Sequence, residues 1–117
     1  MKSVLIVENE SVIAMDLADQ IKACGYHLIG LARCHEQAEE LAQRHAPDLA
    51  IIDLSIDLRS GLAARLKQRG AKVLFVTGHS DARGRIGAED RLLIKPWANS
   101  QLSIMIRALF EECPSAA

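Results

Sequence analysis

Residues 49–53 read Leu-Ala-Ile-Ile-Asp, a continuous apolar run that ends directly on an acid. A strand covered on both faces is apolar without interruption, whereas a strand with one wet face alternates. The run therefore predicts a buried strand of a parallel sheet, with Asp53 at its carboxyl end.

Four more runs of this kind flank the first, at residues 4–7, 27–32, 73–76 and 92–94. The stretches between them carry apolar residues at helical spacing. The predicted helices cover residues 11–25 (capped by Ser11), 38–45, 62–68 and 99–112, whereas Gly84 and Gly87 interrupt residues 79–90. Strands alternating with helices predict an α/β fold, a parallel sheet with helices on both faces and a short or irregular fourth helix.

The ends of the strand runs carry polar side chains. Glu8-Asn9-Glu10 follows the first run, Thr77 the fourth and Lys95 the fifth. Because ligands of such sheets bind beyond the carboxyl ends of the strands, we expect these side chains to gather near Asp53.

This combination of side chains indicates phosphoryl chemistry. A carboxylate such as Asp53 can accept a phosphoryl group if the charge on the transferring oxygens is neutralised. Lys95 can supply a positive charge and Thr77 a hydroxyl donor, and a cluster of oxygen ligands suits Mg²⁺.

Length and charge exclude several classes of protein. The 117 residues, half of them apolar, predict one domain over residues 1–117. The net charge of -1, with scattered basic residues, argues against nucleic-acid or membrane partners. Without an evident leader or membrane-length apolar run, the predicted location is the cytoplasm. Cys24, Cys34 and Cys113 form no CxxC pair and suggest neither disulfide nor zinc site.

Four segments resemble the signature motifs of bacterial response-regulator receiver domains, and the resemblance spans residues 3–112. They are Val-Leu-Ile-Val-Glu-Asn-Glu from residue 4, Leu-Ala-Ile-Ile-Asp-Leu from residue 49, Val-Thr-Gly from residue 76 and Ile-Lys-Pro-Trp from residue 94. The resemblance implies a flavodoxin-like five-stranded sheet of order 2-1-3-4-5. Residues 75–79 also resemble a variant fourth strand of an alphaproteobacterial single-domain group tied to general stress signalling.

The resemblance also implies roles for individual residues. Asp53 would be the phosphoacceptor, Thr77 the switch hydroxyl and Lys95 the partner of the phosphoryl group. Mg²⁺ would be held by Glu8, Asn9, Asp53 and the backbone carbonyl of Ser55. The implied protein is a single-domain response regulator, not an enzyme beyond assisting its own phosphorylation and dephosphorylation.

The implied partners are proteins on both sides of a signalling step. A histidine kinase or histidine phosphotransfer protein would phosphorylate Asp53, and a downstream protein would bind the fourth-helix to fifth-helix face, formed by residues 79–90 and the last helix. Ile104, Met105 and Phe110 leave apolar atoms on the flanks of the last helix, so a homodimer through that helix is a further expectation.

Two positions and the spacing of the motifs depart from the family pattern, since Thr77 lies 24 residues after Asp53 and Lys95 18 residues after Thr77, both a few residues fewer than is typical. Asn9 replaces an acid that normally ligates the metal, which predicts weakened Mg²⁺ binding. Leu92 stands where receivers usually carry an aromatic residue, and His79 holds a position that influences hydrolysis of the acyl phosphate.

The departure at Asn9 keeps an alternative open: a degenerate receiver that acts as a phosphorylation-independent interaction module. A flavin or nucleotide enzyme is disfavoured because no glycine-rich phosphate loop follows a strand. A dehalogenase-type phosphatase is disfavoured because Asp53-Leu54-Ser55 lacks the second acid.

Overall fold

The computed structural model describes residues 1–78, 82–87 and 89–111. His79, Cys113 and the predicted last helical residue, Glu112, lie outside them. The described strands are β1 Ser3–Val7, β2 His27–Ala32, β3 Leu49–Asp53, β4 Lys72–Thr77 and β5 Arg91–Ile94. The described helices are α1 Ser11–Ala23, α2 His35–Arg44, α3 Leu54–Ser60, α4 Leu62–Gln68 and α5 Asn99–Glu111, with a 3₁₀ helix at Ala82–Arg85.

The strands form one sheet in the order β2-β1-β3-β4-β5, and all four pairings are parallel. This confirms the predicted fold class and strand order. β3 lies at the centre of the sheet, so Asp53 at its end is flanked by the ends of β1 and β4.

Apolar side chains cover the sheet on both faces. Leu5 and Val7 of β1 belong to a core shared with α2, α3 and α4, whereas Val4 and Ile6 belong to a second core shared with α1 and α5. Successive side chains of a strand point to opposite faces, so a strand buried on both faces must be apolar throughout. This explains the uninterrupted apolar runs of the sequence.

The sequence pattern missed α3. This helix begins directly after Asp53, whose side chain caps it by accepting the Ser55 N–H, and only Leu54 and Ile56 are buried along its seven residues. It ends at Gly61, where φ is +68°, a left-handed conformation that favours glycine. The predicted helix at 62–68 is therefore the second of two short helices in this connection. The first was undetected because two buried residues make no helical period.

The start of α1 also differs by one residue from the prediction. Glu10, not Ser11, occupies the N-cap position, and its side chain makes no capping hydrogen bond. Its extended backbone, with φ -89° and ψ 113°, carries the chain from the β1 end into the helix.

The connection between β4 and β5 is irregular, as predicted. Its described helical part is the single 3₁₀ turn Ala82–Arg85. Asp90 fastens this connection to the neighbouring α4, since its carboxylate lies 2.6 Å from Lys67 Nζ and accepts the Gly87 N–H at 2.9 Å. Along the described ranges, no helix has both the length and the apolar character needed to cross a bilayer.

Candidate phosphoacceptor site

Asp53 is a buried acid with a fixed orientation. Its residue is 6% exposed, and one carboxylate oxygen, Oδ1, accepts the Ser55 N–H at 2.8 Å and the Ser55 hydroxyl at 2.7 Å. Two donors on one oxygen hold the plane of the carboxylate. The second oxygen, Oδ2, faces Lys95.

Lys95 brings its ammonium group to three acids at once. The chain places it directly after β5, where its N–H donates to the Thr77 carbonyl at 2.7 Å. Its Nζ lies 2.8 Å from Glu8 Oε1, 3.3 Å from Asp53 Oδ2 and 3.4 Å from Glu10 Oε1. The positive charge therefore sits at the centre of a group of three carboxylates.

Burial and ion pairing act against each other in this group. Burial raises the pKa of Glu8 above its ordinary value, and the hydrogen bond with Lys95 opposes this only in part. Burial also disfavours charge on Asp53, but the hydrogen bonds from Ser55 and Glu8 outweigh it and lower the pKa of Asp53. Burial opposes the charge of Lys95 as well, yet the bonds to Glu8 and Asp53 raise the pKa of Lys95. Asp53 is therefore the acid held ionised, and Lys95 stays charged beside it.

Thr77 and Asn9, two further predicted site residues, differ in their exposure. Thr77 is buried at the β4 end, next to Val76, which pairs with Asp53 across the sheet. Asn9 is exposed, and Arg33 Nη2 donates to its backbone carbonyl at 3.3 Å. Among the described residues the Asn9 side chain makes no hydrogen bond.

Ser55 holds Asp53 through its N–H and hydroxyl, a contact that the sequence analysis did not foresee. Its carbonyl accepts a hydrogen bond from Arg59 Nε at 3.2 Å. The metal-ligand roles of Asn9 and of the Ser55 carbonyl stay predictions.

The residues present fit a small divalent cation. Glu8, Glu10 and Asp53 each offer a carboxylate oxygen, and these oxygens lie within 4.8 Å of one another. Glu8 Oε1 is buried, and the Lys95 ammonium lies 2.8 Å from it. Carboxylate oxygens are the ligands that Mg²⁺ prefers in proteins.

The sequence analysis expected Glu10 near Asp53 but did not name it as a metal ligand. Its backbone position relative to Glu8 is local, because the chain bends at Asn9 and the Glu10 N–H donates to Glu8 Oε2 at 3.1 Å.

Comparisons with known proteins identify the family of the chain. Residues 4–107 match the family model described as response regulator receiver domain. The chain is 35% identical over 108 residues to the transcriptional regulatory protein PdtaR of Mycobacterium tuberculosis, covering 86% of this chain and 53% of PdtaR. It is 33% identical over 115 residues to the phyllosphere-induced regulator PhyR of Methylorubrum extorquens, covering 92% of this chain and 43% of PhyR. The chain thus spans about half the length of these relatives.

Solved structures show the same likeness. The receiver domain of PhyR from Erythrobacter litoralis superposes with a TM-score of 0.82 at 27% identity, covering 99% of this chain and 96% of that one. The beryllofluoride-activated form of SdrG from Pseudomonas melonis gives 0.78 at 26% identity, covering 92% and 94%. Receiver domains are in general signalling modules phosphorylated on an aspartate at an acidic, Mg²⁺-binding pocket. With the family model matching nearly its whole length, the chain belongs to the response regulator receiver domain family.

Proposed function

We propose that the chain accepts a phosphoryl group on Asp53 from a histidine kinase or histidine phosphotransfer protein and passes the signal on by protein contacts. One observation carries the proposal: the buried, oriented Asp53 carboxylate faces the Lys95 ammonium at 3.3 Å. This contact lies at the carboxyl ends of the strands, where ligands of such sheets bind. An aspartate of this kind is both ionised and accompanied by the positive charge that phosphoryl transfer requires.

The transfer needs a nucleophile, charge neutralisation and a leaving group. An oxygen of the Asp53 carboxylate forms a bond to phosphorus as the bond between phosphorus and the donor imidazole nitrogen breaks, and the electron pair stays on that nitrogen. Ser55 keeps the carboxylate oriented, and Lys95 neutralises charge on the phosphoryl oxygens. A bound Mg²⁺, held by carboxylates such as Glu8 and Asp53, would supply further positive charge to those oxygens. Water attacking the acyl phosphate would end the signal.

Phosphorylation of Asp53 should change the contacts that Lys95 makes with Glu8 and Glu10. Before transfer, the Lys95 ammonium is in contact with both glutamates as well as with Asp53. A phosphoryl group on Asp53 offers Lys95 additional anionic oxygens, so we expect its contact with the exposed Glu10 to weaken first. Because the Lys95 N–H is bonded to the Thr77 carbonyl, such a change acts on the β4 and β5 ends together.

The surface next to these strand ends is the proposed output face. It comprises the connection after Thr77 and helix α5, the fourth-helix to fifth-helix face of the sequence analysis. The described part of the connection is fastened to α4 through the ion pair of Asp90 and Lys67, and we propose that this contact changes when the connection reorders. Ile104 on α5 is 66% exposed and supports a protein contact there, including the expected homodimer.

The relatives suggest the kind of downstream partner. PdtaR is named a transcriptional regulatory protein and PhyR a phyllosphere-induced regulator, and PhyR of Bartonella quintana is described as an anti-anti-sigma factor. We propose a protein that controls transcription as the downstream partner of this chain, and a cytoplasmic location to match.

Phosphorylation by acetyl phosphate, followed by intact-mass spectrometry with and without Mg²⁺, tests the proposal. We expect the mass of one phosphoryl group to appear in the wild type and in Asp16→Asn, a variant that removes a nearby surface acid, and not in Asp53→Asn. Absence of the adduct from the wild type in Mg²⁺ would refute the proposal and favour the phosphorylation-independent interaction module.

A further inference from the structure

The acid that receivers carry at position 9 is an amide in this chain, yet the site still contains three carboxylates. Glu8, Glu10 and Asp53 supply them, with oxygens no more than 4.8 Å apart. Lys95 Nζ lies within 3.4 Å of an oxygen of each of the three carboxylates. The count of carboxylates is therefore kept although Asn9 contributes none.

The backbone fixes the position of Glu10 relative to Glu8. The Glu10 N–H donates to Glu8 Oε2 at 3.1 Å, and the Glu10 carbonyl accepts the Ala14 N–H at 2.9 Å in the first turn of α1. Glu8 is thereby oriented with its other oxygen, Oε1, directed toward the group. That oxygen is buried and lies 2.8 Å from the Lys95 ammonium, so a divalent cation at this point would share or replace that contact.

Among the described residues, the contact of the Glu10 side chain is its ion pair with Lys95. Glu10 occupies an N-cap position without forming a capping hydrogen bond, and its side chain is 64% exposed. Its described contact is the one to Lys95 at 3.4 Å, which is longer than the 2.8 Å contact of Glu8. An exposed, weakly held carboxylate can turn to a cation without disturbing the core.

We propose that Glu10 takes over the role of the missing acid at position 9 and supplies the third negative charge of the Mg²⁺ site. The inference rests on the proposed function, which requires that cation. It reverses the expectation that Asn9 weakens cation binding: the amide is tolerated because the carboxylate is provided one residue later in the chain.

Cation binding by four forms of the whole chain tests the inference. Calorimetric titration with Mg²⁺, and Mn²⁺ titration followed by electron paramagnetic resonance, give dissociation constants without any phosphoryl transfer. We expect Glu10→Gln to weaken binding about tenfold or more, the size of effect seen for groups that support a metal site. Asn9→Asp combined with Glu10→Gln should recover most of that loss, since it returns the acid to position 9.

Asp16→Asn is the matched control. Asp16 lines the same surface groove as Glu10 and Lys95 but lies outside the group of three acids, so its loss removes a nearby charge without removing a ligand. We expect less than about a twofold change from it, because exposed charges are screened by salt. Trp97 lines the same groove and reports by fluorescence whether each variant keeps the wild-type environment.

Two results would overturn the inference: Glu10→Gln binding both cations within twofold of the wild type, or a wild type that binds neither. Phosphorylation of Asp53 together with the first result would refute the role of Glu10 and leave the proposed function intact. Glu10-dependent cation binding without phosphorylation of Asp53 would refute the proposed function and keep the cation site.

Discussion

Lys95→Met tests how far one ammonium group stabilises the buried acids. The side chain of Lys95 is 13% exposed and those of its partners Glu8 and Asp53 are 0% and 9% exposed, so little water compensates their charges. Removing one member of a buried ion pair costs about 3–5 kcal/mol. Since Glu8 can take up a proton, we expect a loss near the lower end, about 3 kcal/mol at pH 8, measured by urea unfolding.

The loss should depend on pH with a defined sign. Burial already raises the pKa of Glu8, and without the opposing Lys95 ammonium this pKa rises further above that of the unfolded chain. A raised folded pKa adds stability at low pH that disappears as the pH rises through it. The difference in unfolding free energy between wild type and Lys95→Met should therefore shrink from pH 8 to pH 5. Mg²⁺ should shrink it at pH 8 too, because a cation bound only to the folded state replaces the missing charge.

Lys67→Met is the control for this experiment. Lys67 pairs with Asp90 at 2.6 Å, but its side chain is 42% exposed, so water screens the pair and the expected cost is below about 1 kcal/mol. Two results would refute the explanation that the buried Lys95 charge stabilises the acids. One is an equal loss of unfolding free energy in Lys67→Met and Lys95→Met, and the other is a loss in Lys95→Met that does not change between pH 8 and pH 5.

Three other substitutions test the fold around the site. Ser3 donates two hydrogen bonds to the Asp48 carboxylate, and the one from its N–H contributes most to lowering the pKa of Asp48. Asp48→Asn should therefore be less stable than the wild type at pH 7. Acid titrations followed by circular dichroism should show this difference fading below about pH 4, where the carboxylate takes up a proton. Asp90→Ala removes the acceptor of the Gly87 N–H, so amide exchange of residues 82–91 should quicken and stability should fall by about 1–2 kcal/mol; unchanged exchange would refute the anchoring role. Ile106→Ala leaves a cavity at a fully buried position of α5 and should cost about 3 kcal/mol in urea unfolding, whereas a cost below 1 kcal/mol would show that the core refills it.

The sheet could be predicted from sequence because strands buried on both faces appear as uninterrupted apolar runs. β3 and its neighbours are apolar at every interior position, so their runs stand out. The observed strands differ from the predicted ones by at most one residue at either end. Helix α3 shows no helical periodicity in the sequence, because only two of its residues are buried. The residues that mark its ends are the capping acid Asp53 and Gly61. Short elements are set by caps and by tertiary contacts, which a periodicity search does not weigh.

The same limit explains which site residues sequence reasoning found. Asp53 and Lys95 each follow a strand directly, so the sheet fixes their side of the molecule before any side chain is considered. Glu8, Asn9 and Glu10 are consecutive, and the local course of the chain from β1 to α1, with its bend at Asn9, decides which carboxylates face Lys95. An acid lost at position 9 can thus be offset at position 10, provided that the backbone brings the new carboxylate to the same cation. Whether an amide at position 9 disables a receiver therefore depends on its neighbour, and in this chain the neighbour is a glutamate within 3.4 Å of the lysine that also contacts Asp53.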